Sequence, residues 1–100
     1  MISRLFHSPE LHVGCMRLGA GGLIGLHQAS GPQLLAVVEG EGWFRTQSDE
    51  RTPIKEGEAV YWDGGEWHET GSEGGLVALV IESPHLDAGE SLGPAPNRPA

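Results

Sequence analysis

The sequence predicts an all-β domain, a sandwich or small barrel of seven or eight strands, and three observations predict it. Sixteen glycines and seven prolines in 100 residues leave almost no window in which a helix could run. The longest glycine-free stretch, Trp43 to Glu56, is itself interrupted by Pro53 and a Ser48-Asp49-Glu50 turn. What remains is a series of short apolar or alternating runs separated by glycine-rich turns, at the spacing of a sandwich or barrel.

In chain order, the first run is Glu10 to Leu18, which sets Leu11, Val13 and Cys15 on one face and His12, Gly14 and Met16 on the other. Leu23 to His27 and Gln33 to Val38 follow, then Trp43 to Gln47, rich in residues that suit a pleated sheet. Ile54 to Lys55 and Ala59 to Trp62 are short, Trp67 to Thr70 is polar, and Leu76 to Ile81 is apolar throughout. The turns fall at 19–22, 30–32, 40–42, 63–65 and 71–75, each glycine-bearing and able to reverse tightly. Leu34 to Val38 and Leu76 to Ile81 are apolar at odd and even positions alike, so both faces should be covered, one by the opposing sheet and the other by a second subunit. A homodimer is the expectation. The domain is read as residues 1–82, with 83–100 a proline- and glycine-rich tail that has little to bury.

Fourteen Asp and Glu against six Lys and Arg give a formal charge of −8, with no basic cluster. Such a chain repels phosphate backbones and anionic lipid, so neither nucleic acid nor a membrane surface is expected as a partner. The longest apolar run is Leu76 to Ile81, far short of a membrane span, and the first ten residues carry no apolar signal core. Cys15 stands alone, which excludes an internal disulfide and suits the reducing cytoplasm.

The residues that carry chemistry are His27, Gln33 and His68, each in or beside a predicted strand. Imidazole nitrogen and amide oxygen both bind metals, the amide as a weak, neutral ligand. Spacing by itself does not separate them from ordinary polar residues at strand ends.

The frame around them does more. Gly21 through Ala29, continuing through Gln33 to Gly40, resembles the first cupin motif, G-x5-H-x-H-x3,4-E-x6-G, with Gly21, His27 and Gly40 in place. Gly57 through Ser72 resembles the second, G-x5-P-x-G-x2-H-x3-N, with Gly57, Gly65 and His68 in register, Asp63 for the proline and Ser72 for the asparagine. The stretch between them, residues 42–56, is short, as in small single-domain members. The resemblance spans roughly residues 10–82 and implies an antiparallel jelly-roll barrel.

It also implies a divalent transition metal (Fe, Mn, Ni, Cu or Zn) and a small anionic or oxygen-rich organic ligand at the barrel mouth. Two of the four usual ligands are altered: Ala29 replaces the second histidine and Gln33 the glutamate, while His27 and His68 are kept. Three neutral donors would then hold the ion, more weakly than the full set. Two functions stay open at this point. One is a metal-dependent enzyme on a small molecule, an oxygenase or isomerase; the other is a non-catalytic binding or sensory protein with a metal-free pocket.

Other residues read as structural. His12 shares a face with Gly14 and Met16, which leaves it either pointing into the barrel to supply a missing donor or, the commoner outcome for a sheet histidine, structural or exposed; His7 and His85 are expected to be solvated near the ends. Trp43, Trp62 and Trp67 read as core or interface anchors, with Trp67 turned away from His68 and Glu66 and Thr70 on the face of His68. Cys15 reads as a small buried hydrophobe, and Glu56, Glu58, Asp63, Glu66, Glu69 and Glu73 as a solvated rim.

Overall fold

In the computed structural model, which describes residues 2–86, eight antiparallel strands follow one another without a helix. They are β1 (Ile2–His7), β2 (His12–Leu18), β3 (Gly22–Gln28), β4 (Gln33–Arg45), β5 (Thr52–Lys55), β6 (Ala59–Trp62), β7 (Trp67–Ser72) and β8 (Leu76–Glu82). The first half of β4 pairs with β8 and β6, and its second half pairs with β5 and β7. One sheet therefore runs β1-β2-β8-β4-β6 and the other β5-β4-β7-β3, joined through β4. The all-β expectation and the jelly-roll arrangement both hold.

The Gly40 region differs from its expected reversal. Residues 33–38 and 43–45 belong to one 13-residue strand that bends as it changes sheets. Gly40 makes the bend, with φ at 82°, and a Cβ there would collide with the carbonyl oxygen of Gly75. Val38 is the extra residue of a bulge beside it and stands exposed. The edge strand β1 has no signature in the sequence, because Ile2 to His7 carries no bounding turn and no clean alternation. All six of its residues are exposed, including Leu5 and Phe6.

The core lies between the sheets: Met16, Leu18, Leu35, Val37, Phe44, Ile54, Val60, Trp62, Leu76, Ala78 and Val80 are all buried. In β2 the buried face is Gly14, Met16 and Leu18, whereas Val13 and Cys15 face outward and are half-covered. Cys15 is thus no core residue. In β4 and β8 only one face is sealed; Leu34, Ala36, Val77, Leu79 and Ile81 on the outer face stay partly open, so a single chain does not supply the second cover. Nor is the acidic string wholly a rim. Glu69 is buried and forms an ion pair with Arg45, its register partner on β4. Trp43 packs its indole against Gly71, where a Cβ would collide with the ring, and carries the Arg51 guanidinium 3.8 Å from its centroid on a cation–π contact. Trp67 is exposed, as its alternation with His68 requires. Residues 83–86 form a turn past β8, and the rest of the predicted tail lies outside the described residues.

Candidate functional site

The three motif residues come from three strands and meet at one cavity. His27 on β3 and His68 on β7 are direct register partners. Between Ile24 and His27 the β3–β7 pairing slips by one residue, a bulge at Gly25 and Leu26. That extra residue puts Ile24 and His27 on the same face although they lie three apart, so both line the cavity. Gln33 opens β4 opposite Trp62 on β6 and Glu82 on β8, and is buried. The cavity measures about 160 Å³. Its walls are mainly apolar, from Ile24, Leu35, Met16 and Val80, with the polar groups gathered at one end.

The imidazoles of His27 and His68 lie edge to face, with centroids 4.2 Å apart. His27 Nδ1 donates to the carbonyl of Gly25 at 2.9 Å, since a carbonyl only accepts. In the neutral ring the proton therefore sits on Nδ1 and the lone pair on Nε2, the tautomer a metal-binding histidine adopts. His68 is 3% exposed and stacks flat on Trp62, centroids 4.2 Å apart and planes 14° from parallel. Phe44 in turn meets Trp62 edge-on at 5.9 Å, so an aromatic column fixes the His68 ring from below. Burial, and then the neighbouring His27, push the His68 pKa down from 6.5 to about 4, against a smaller opposing pull from the Glu66 main chain. His68 is therefore neutral at physiological pH, and its Nδ1 is buried without a hydrogen-bond partner.

These donors fit a divalent cation of borderline softness. They comprise two imidazoles and one amide oxygen, all lining the same cavity. Among the described residues no three His, Cys, Asp or Glu side chains converge to hold an ion, so any such site depends on the amide of Gln33. Ala29, where the family motif has its second histidine, is buried, with main-chain bonds to Gly65 and Glu66.

Two further polar residues of the cavity lie outside the motifs. His12 lines the cavity, the alternative that its parity with Gly14 and Met16 offers, rather than being structural or exposed. Glu82 lines it too, one residue beyond the apolar run that drew attention, and pairs in register with both His12 and Gln33. Of the neighbours assigned to the His68 face, Thr70 lines the cavity, whereas the Glu66 carboxylate accepts from the Asp63 amide at 2.7 Å and caps a turn. His7 lies outside the cavity, edge-on to His12 at 5.1 Å, and His85 is exposed.

Comparison with known proteins decides the family. A sequence model described as a cupin domain matches residues 14–82. The chain belongs to the cupins. Among solved structures, it is similar to an RmlC-like cupin with a double-stranded β-helix fold from Methanocaldococcus jannaschii, at TM-score 0.78 and 20% identity over 85% of this chain and 80% of that one. A cupin superfamily protein from Desulfitobacterium hafniense gives TM-score 0.76 and 14% identity over 83% and 75%. KdgF from a Halomonas species gives 0.74 and 22% over 86% and 79%. At these identities the likeness is one of fold. No curated protein matches the chain by sequence. No helix among the described residues is long and apolar enough to cross a membrane.

Proposed function

We propose that this cupin binds a small organic molecule in the cavity between its sheets, beside a divalent metal held by His27, Gln33 and His68. The observation that carries the reading is the convergence of three neutral donors, from β3, β4 and β7, on one mainly apolar cavity. A divalent cation there supplies Lewis acidity toward a bound oxygen function. The chain's own part is to orient and exclude. The Gly25 carbonyl fixes the His27 tautomer, Trp62 fixes the His68 ring plane, and Ile24, Leu35 and Val80 keep water from the apolar part of the ligand. An oxygenase or isomerase is the enzymatic form of this reading. The charge-free donor set supports a second form, a metal-free binding or sensory protein using the same polar groups.

Metal analysis separates them. Protein purified without an affinity tag should carry one transition-metal ion per chain, lost in both His27→Ala and His68→Ala. Metal-free wild-type protein that takes up none of the candidate ions, yet still binds small molecules, would establish the second form.

The reading includes a homodimer. The outer face of β2, β8 and β4, with Val13, Leu79, Ile81 and Leu34, is apolar and only half-covered, which supports pairing with a second copy. Sedimentation velocity at micromolar concentration should give twice the chain mass, and a monomer there would remove this part.

A further inference from the structure

The motif residues occupy one part of the cavity's polar end; the rest is furnished by residues the family motifs do not contain. His12, Glu82, Gln33 and Trp62 form a single register row across β2, β8, β4 and β6. The first three of them line the cavity. Among the described residues, Glu82 is the only Asp or Glu along its walls, and no Lys or Arg lines it. The Glu82 side chain is half-buried and, among the described residues, has neither an ion pair nor a hydrogen bond. A carboxylate drawn partly out of water with no protein partner is costly unless something else satisfies it. The chain's charge of −8 adds to a potential that attracts cations and repels anions.

We propose that Glu82 makes the cavity selective for a small organic amine, whose protonated nitrogen sits at Glu82 and whose apolar stem lies against Ile24, Leu35 and Val80. His12 is the register neighbour of Glu82 and offers a ring nitrogen for a second hydrogen bond. A cavity of about 160 Å³ limits the ligand to a handful of heavy atoms. This rests on the reading of the cavity as a ligand site but not on a metal in it. It replaces the anionic ligand that the family resemblance implies with a cationic one.

Three probes of matched length test it: n-butylamine, n-butanol and butyrate, titrated at neutral pH into 15N-labelled protein while the amides of Gly14 and Thr70 are followed. The titrations are run on the protein as purified and again after chelation with EDTA. The amine should bind at least tenfold more tightly than butyrate. Glu82→Gln should weaken the amine about tenfold and leave the alcohol unchanged. Butyrate binding as well as the amine, or a Gln variant that keeps the preference, overturns the amine assignment while the cavity remains a ligand site. Silence from all three probes under both conditions overturns the ligand-site reading and this inference together.

Discussion

Three strands show the same gradient along their inward faces. β2 passes from Leu18 through Met16 and Gly14 to His12, β8 from Leu76 through Ala78 and Val80 to Glu82, and β4 from Val37 through Leu35 to Gln33. At one end the inward side chains of these three strands are apolar and sealed, with Leu76 at 3% exposure. At the other end the same strands deliver a polar row that faces an open cavity, completed by His27 and His68 from the second sheet. The closed end holds the sheets together, which frees the open end to carry polar groups. Even the contact between the two regions is shared: Trp62 belongs to the core cluster and is also the surface on which His68 stacks.

The largest effect should come from the closed end. Ile54→Ala removes a fully buried side chain and should cost about 3 kcal/mol in chemical denaturation, with metal and ligand binding unchanged in the folded fraction. A variant that unfolds as the wild type does would mean that this end is not where stability resides.

Acid should act through the open end. Folding lowers the His68 pKa from 6.5 to about 4, so below pH 6.5 the unfolded chain binds a proton that the folded chain refuses. Stability from this group is complete above pH 6.5 and drains away as pH falls toward 4. At full strength the shift is worth about 3 kcal/mol, and solvent entering the cavity reduces that to about 2. His68→Gln should flatten this part of the stability profile measured between those limits, and a slope that persists in the variant would assign it to other groups.

Restoring the carboxylate sharpens the contrast further. Gln33→Glu places a second negative charge opposite its register partner Glu82, so the metal-free protein should lose about 1 kcal/mol. Divalent-cation affinity, read by calorimetry, should rise about tenfold. Weaker or unchanged metal binding would place the ion elsewhere. The smallest effect belongs to a histidine outside the cavity: His85→Ala should shift stability by less than about 0.5 kcal/mol and leave metal content alone.

The sequence was most informative where chemistry and turn geometry coincide. Glycines on either side of His27, Gln33 and His68 fixed a spacing that placed all three at one cavity. Ala59 to Trp62 was bounded correctly because turns close it on both sides. Other features depend on pairing between distant segments. The strand β1 is held only by β2, and its own exposed residues carry no pattern. The bend at Gly40 looked like a reversal because a positive-φ glycine serves either purpose. Glu69 read as solvated because its partner Arg45 lies 24 positions away. Glu82 escaped notice because its meaning comes from the row it completes, with His12 on one side and Gln33 on the other.

Paramagnetic mapping tests the metal reading most directly. Substoichiometric Mn²⁺ added to 15N-labelled protein should broaden the signals of His27, Gln33 and His68 first, then Thr70 and Gly14, while Leu18, Ile54 and Leu76 stay sharp. Broadening centred on the exposed acids Glu56 and Glu73, with His27 and His68 untouched, would contradict it.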